Sequence, residues 1–265
     1  MARAALTGCA TCRAALKGCA TSGRFAVASC LALAVPGVAR AQTTDPRFYV
    51  SVNAGVQRSD NNVTQSFSVQ KNLEDMPITV DIDEQRGVMF DGGVVVRLAG
   101  RFGMGFAASV VTHDTDADVT ASVPHPFFFG RPRSVAGTTA ATRRETAGHI
   151  QAVYLLPGRR LDVMVFGGPS LFSVRQTLVT DVVYSESYPY DTATFSSAQT
   201  ASSTSKTAIG FHAGIDLAWK FSRNVGVGGM ARFARAQATL NATNNPAQKV
   251  DAGGLLAGGG IRLAF

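Results

Sequence analysis

The chain has 265 residues, of which 46% are hydrophobic and only 16% charged, enough for one sizeable domain. No run of about 18 apolar residues follows the first 41, which excludes a membrane-spanning helix there. The formal charge of +7 does not point to a nucleic-acid partner. Five basic residues (Arg3, Arg13, Lys17, Arg24 and Arg40) lie in residues 1–41, which hold no acid; the rest carries 20 basic and 18 acidic residues and is nearly neutral.

Residues 1–41 have the layout of a cleaved secretory signal peptide. Basic residues come first, then an apolar core at 25–35, a Pro36-Gly37 break, and Ala39-Arg40-Ala41 as a small-x-small cleavage pattern. All four cysteines lie in this segment, so residues 42–265 form an exported domain without disulfides.

That domain alternates with period two, the signature of strands with one apolar face. In the first strand, 47–59, Phe48, Val50, Val52, Ala54 and Val56 share one face. Polar residues 60–83 predict a long loop. The second strand, 84–98, puts Phe90, Val94 and Leu98 opposite Asp91 and Arg97; 99–101 is a tight turn. The third, about 102–114, places Phe102, Met104 and Phe106 outward, and a long loop is expected at 115–142.

The fourth strand, 143–156, shows Ile150 and Tyr154 outward, with Glu145, His149 and Gln151 inward. After a turn at 157–160, the fifth runs from Leu161 to about Val183, with Pro169 predicting a bulge or bend. A loop at 185–203 precedes the sixth strand, 204–221, whose Phe211, Ile215, Trp219 and Phe221 oppose His212, Asp216 and Lys220. The seventh, 225–240, follows a turn at 222–224 and puts Arg232 inward. A loop at 241–250 leads to the last strand, where Leu255, Ile261, Leu263 and Phe265 oppose Arg262.

The expected fold is all-β: an eight-stranded antiparallel transmembrane β-barrel, an up-and-down meander with long and short connections alternating. Phe48, Phe102, Tyr154, Trp219, Phe221 and Phe265 fall near the short turns, as an aromatic girdle would. The exported leader, the eight alternating strands and the terminal Ile261-Arg262-Leu263-Ala264-Phe265 resemble small bacterial outer-membrane barrels of the OmpA-like transmembrane or opacity-protein type. The resemblance implies an outer-membrane location in a Gram-negative-type bacterium, contact with outer-membrane lipid and lipopolysaccharide, and a monomer. It also implies that Ile261, Leu263 and Phe265 form the signal taken up by the barrel-assembly machinery.

Eight inward ionisable residues balance: Asp91, Glu145, Asp162 and Asp216 against Arg97, Lys220, Arg232 and Arg262. In so narrow an interior they are expected to pair, as a salt-bridged plug that fixes register. The alternative is a narrow pore for ions or small solutes. His149 and His212, with Glu145 or Asp216, would bind a metal only if they converged on one point; no metal or cofactor is expected. A lipid hydrolase of barrel type needs a serine activated by a histidine on the lipid face, and no outward His-x-Ser is present. A peptide hydrolase would draw on His113, Asp114, Asp116 and Asp118, which have the pattern of a solvated loop stem. No enzymatic activity is therefore expected. Phe127, Phe128, Phe129, Arg131 and Arg133 are candidates for surface recognition, arginines suiting phosphate; the other reading is a lid over the mouth. The expected role is structural or surface-interactive.

Overall fold

The structure is a computed structural model that describes residues 46–204, 207–240 and 248–265. The expected leader and most of the 241–250 loop lie outside the described residues. Within them are nine strands: β1 (Phe48–Lys71), β2 (Glu74–Ala99), β3 (Phe102–Val123), β4 (Arg133–Leu156), β5 (Leu161–Glu186), β6 (Ala193–Thr204), β7 (Ala208–Lys220), β8 (Val225–Leu240) and β9 (Gln248–Ala264).

They form one antiparallel sheet. Each strand from β1 to β5 pairs with the next. One edge of β5 then carries two partners, β7 along Leu161–Phe172 and β6 along Arg175–Glu186. β7 pairs β8, and β8 pairs β9. β9 returns to β1 from Tyr49↔Ala264 to Arg58↔Leu255, so the pairings close on themselves. Closure satisfies backbone groups that an open sheet would leave at its edges. Val52 and Ala257 lie on one outer face of this β1–β9 pair, as the alternation requires.

The strands extend well beyond the expected ones. Two expected loops, 60–83 and 115–142, are mostly strand. β1 and β2 meet in a tight hairpin at Asn72-Leu73, both with positive φ (51° and 66°), and only 124–132 separates β3 from β4. The 185–203 loop is largely the end of β5 and the start of β6. Pro169 makes no bulge: its β7 register is unbroken, and β4 resumes in register after a short gap in pairing.

Burial divides the strands into two zones. Toward the short turns, Val52, Phe90, Phe106, Ile150, Val165 and Ile261 are exposed, while Asn53, Asp91, Ser109, Gln151, Arg232 and Arg262 are buried. Toward the far end the faces reverse. Met76, Ile78, Val80 and Ile82 are buried with Val119, Val123 and Val135, and Asp81, Asp118 and Thr120 face solvent. In β2 the reversal coincides with a bulge: Ile82↔Ala117 and Val88↔Thr112 leave one extra residue on β2. Its inward positions therefore change from odd (Met89, Asp91) to even (Met76 to Ile82). The far zone holds an ordinary apolar core, each fully buried aliphatic side chain contributing roughly 1.5–3 kcal/mol.

Candidate functional site

The enclosed polar interior of the short-turn zone gathers most of the predicted residues. Alternation aims them inward; register decides which of them meet. Arg232 Nη1 donates to Asp91 Oδ2 at 2.7 Å, and Asn53 Nδ2 donates to Asp91 Oδ1 at 3.1 Å. The Arg232 guanidinium also lies 5.3 Å from the centre of the Phe166 ring. Arg262 forks onto Asp216, with Nε–Oδ1 at 2.9 Å and a second bond from Nη2 to Oδ2. Gly228 leaves room for it, since a Cβ there would come within 3.0 Å of Arg262 Nε. Lys220 Nζ pairs with Asp162 Oδ1 at 2.8 Å, beside the Gly158 turn.

Glu145 pairs with a residue outside the expected set. Arg143 Nη2 donates to Glu145 Oε1 at 2.6 Å, both side chains being almost fully buried. Gln57 Nε2 donates to Glu145 Oε2 (3.2 Å) and to Gly253 O (2.9 Å). Arg97 belongs elsewhere: its Nε donates to Gly100 O in the Ala99–Arg101 turn, and it is half-buried. The expected grouping of Arg97, Asp162, Lys220 and Arg262 thus separates. Asp162 and Lys220 pair within it, while Arg262 reaches Asp216.

His149 and His212 also come together, through serines that alternation alone does not distinguish. His149 Nε2 lies 3.1 Å from Ser109 Oγ, and its Nδ1 2.8 Å from Ser170 Oγ. Ser170 Oγ is also 2.8 Å from His212 Nδ1. A hydroxyl has one proton to donate, so the two imidazoles cannot both accept from Ser170, and at least one of them donates its Nδ1–H to it. His212 Nε2 has no hydrogen-bond partner. Glu145 and Asp216 are engaged by Arg143 and Arg262. Among the described residues no group of three or more His, Cys, Asp or Glu side chains is placed to hold a metal ion.

Two cavities inside this zone are small. One of about 20 Å³ lies among Gln151, Phe166, Asp216 and Arg232; one of about 30 Å³ lies among Asp162, Lys220 and Arg262. Each has room for only a water or two.

The remaining candidates lie outside this group. His113 is buried in β3, while Asp114, Asp116 and Asp118 alternate to the opposite, outward face; the four form no common site, and the segment is strand rather than loop stem. Phe127, Phe128 and Phe129 are 69%, 56% and 73% exposed in the connection between β3 and β4. His125 Nδ1 accepts from the Phe127 and Phe128 amides, and Arg131 stacks 5.5 Å from the Phe128 ring. Arg133 is no surface arginine. It is buried, paired with Glu186 at 2.6 Å, and bonded to Pro124 O and Tyr190 O, tying this connection to the β5–β6 hairpin. Ile261 is exposed on the outer face of β9, Leu263 partly so, and Phe265, one residue past its end, is exposed too.

No protein-family model matches the chain, and no curated protein matches it. In structure it is similar to the outer membrane protein OprG from Pseudomonas aeruginosa, with a TM-score of 0.49 and 10% identity over 83% of this chain and 96% of that one. It is similar also to Neisserial surface protein A (TM-score 0.41, 15% identity, 82% and 97% covered). A third similar structure is the outer membrane protease OmpT from Escherichia coli (TM-score 0.47, 7% identity, 85% and 99% covered).

Proposed function

We propose that the chain is an eight-stranded outer-membrane β-barrel with a closed interior, and that its role is structural or surface-interactive. The observation that carries this reading is the reversal of faces along the strands. Near the short turns the outer face is apolar and the interior polar, which suits lipid outside. Farther out the polarity is that of a water-soluble protein. β6 and β7 share one edge of β5, far and near, so nine strands make eight staves. The strands have 12–26 residues, and spanning takes about 9–11. The excess projects as a β-structured extension with its own core, ending in the exposed Phe127–Phe129 tip.

An eight-stave interior is just filled by side chains. Here it is filled by four ion pairs and the serine–histidine chain, which favours a plug over a pore. Ser170 lies between two imidazoles but is 1% exposed, so it is read as structural and not as a nucleophile. The exposed apolar band has lipid as its partner, which is compatible with a monomer. The outward Ile261, Leu263 and Phe265 remain the proposed assembly signal.

Planar-bilayer recording of the refolded chain, checked on the same preparation by heat-modifiable gel migration, tests the reading. The expected result is a folded, membrane-inserted protein with no steady conductance. A steady conductance abolished by Glu145→Gln or Arg232→Ala would overturn the closed interior.

A further inference from the structure

Three connections lie at the strand ends opposite the short turns: the Asn72-Leu73 hairpin, residues 124–132 between β3 and β4, and residues 187–192 between β5 and β6. Polar contacts tie them to one another. Asn72 Nδ2 and Arg133 Nη2 both donate to Pro124 O, at 3.2 and 2.9 Å. Gly130 N donates to Glu74 Oε1 at 2.9 Å, and Arg133 Nη1 donates to Tyr190 O at 2.9 Å. His125 is buried, and its Nδ1 accepts from the Phe127 and Phe128 amides, which fixes the start of the aromatic run. The backbone at this end is therefore held in place by buried side chains.

What it holds out is apolar. Phe127, Phe128 and Phe129 are each more than half exposed, Leu73 is 81% and Tyr188 85% exposed. The rings adjoin: Phe127 lies 5.5 Å from Tyr190 and Tyr190 6.2 Å from Tyr188, centre to centre, with Arg131 over Phe128. Together these five side chains leave on the order of 700 Å² in contact with water, more than a soluble surface ordinarily leaves in one patch. Three properties select the occupant. The phenylalanines and Leu73 carry no hydrogen-bonding side-chain atom, so they do not read a sugar, a phosphate or a peptide backbone. They stand out from turns, so they enter a partner rather than receive one. Residues 71–75, 124–133 and 186–191 hold three basic residues against four acidic ones, so no excess of positive charge draws this end to an anionic surface. A zwitterionic lipid interface fits all three: fluid acyl chains close around an apolar wedge of any shape, and Tyr188, Tyr190 and Arg131 have the amphipathic character of residues that settle at headgroup depth. The bilayer around the near zone is out of reach. From Thr112, at the level of the β2 bulge, to Val123, β3 climbs roughly 25–30 Å along the barrel axis, taking about 3.3 Å per residue and a tilt of about 40°.

We propose that this end inserts into a second, zwitterionic phospholipid bilayer that faces the one holding the barrel. Phe127, Phe128, Phe129 and Leu73 enter its acyl region, and Tyr188, Tyr190 and Arg131 lie at its headgroups. The inference rests on the membrane reading above and makes the chain a bridge between two membranes. It also gives the buried Arg133 a role, that of holding the wedge rigid from behind.

The test is flotation of the full chain, held in lipid nanodiscs and checked by heat-modifiable migration, with protein-free phosphatidylcholine vesicles. The loaded nanodiscs are expected to float with the vesicles, equally at low and high salt, where empty nanodiscs do not. Phe127→Ser/Phe128→Ser/Phe129→Ser should bind at least about a hundredfold more weakly, the scale of losing two or more buried aromatic side chains. Arg101→Ala, at the other end, should bind as the parent does. Phe128→Trp reports depth: brominated lipid confined to the vesicles should quench its fluorescence. Loaded nanodiscs that the vesicles leave behind, a triple variant that floats undiminished, or an unquenched Phe128→Trp would overturn the inference while leaving the membrane reading intact. Flotation that requires phosphatidylglycerol in the vesicles would overturn the zwitterionic assignment, and flotation that requires the chain itself in the vesicles would assign this end to a second copy instead. A chain that never shows heat-modifiable migration would remove the membrane reading and the inference together.

Discussion

Changing Arg232 to alanine tests the interior account most sharply. Arg232 and Asp91 are 2% and 4% exposed, and their 2.7 Å contact is the centre of a group that includes Asn53 and the Phe166 ring. Removing the guanidinium leaves Asp91 with the neutral Asn53 amide as its donor and strands a carboxylate away from water. Breaking a buried pair in this way costs roughly 3–5 kcal/mol. The lost cation–π contact adds on the order of 1–2 kcal/mol in a desolvated site. The double variant Asp91→Asn/Arg232→Met removes both charges and keeps the volume, so it should recover most of the loss. Urea unfolding in lipid vesicles, followed by the fluorescence of Trp219, the chain's only tryptophan, measures each variant. A loss below about 1 kcal/mol for Arg232→Ala would refute the reasoning, since that is the scale of an exposed pair. So would a double variant as unstable as the single one.

Ser170→Ala should destabilise by about 2–4 kcal/mol in the same assay, because it deprives both His149 Nδ1 and His212 Nδ1 of their shared partner; a neutral outcome would mean that water replaces the hydroxyl. Ile78→Ala, in the far-zone core, should cost about 2–5 kcal/mol locally. It is read as faster proteolysis of the extension with heat-modifiable migration retained, and loss of migration would show that the two zones are not separable.

The near zone is legible in the sequence because its two faces differ in kind. Apolar residues alternate there with small or charged ones, and the inward set Asp91, Glu145, Asp162, Asp216, Lys220, Arg232 and Arg262 follows directly. The partner of each does not, since pairing depends on register between distant strands: Arg262 reaches Asp216 rather than the Asp162–Lys220 group. Arg97 lies on the inward parity but at the strand end, where a turn carbonyl is nearer. The far zone is obscured because its water-facing side is acidic and hydroxylated, which has the composition of a loop. The period-two signal is present in Met76, Ile78, Val80 and Ile82. The extra residue in β2 moves that signal to the other parity, so it does not continue the pattern of Met89 and Asp91. Ser109 and Ser170 have no distinguishing feature in sequence; only the strand register brings them to the histidines. Arg143 escapes notice because it falls at the first residue of the expected fourth strand, whereas β4 begins ten residues earlier.

The proposed function requires lipid around the near zone and water around the far zone. Single cysteines placed outward at Val94 and Phe106 in the near zone, and at Asp81 and Thr120 in the far zone, separate the two, with the native cysteines at 9, 12, 19 and 30 changed to serine. Exposed to a membrane-impermeant maleimide in vesicles, Asp81→Cys and Thr120→Cys should label rapidly. Val94→Cys and Phe106→Cys should stay unlabelled until the membrane is dissolved and the protein unfolded. Labelling of Val94→Cys and Phe106→Cys in intact vesicles as fast as Asp81→Cys would contradict the account.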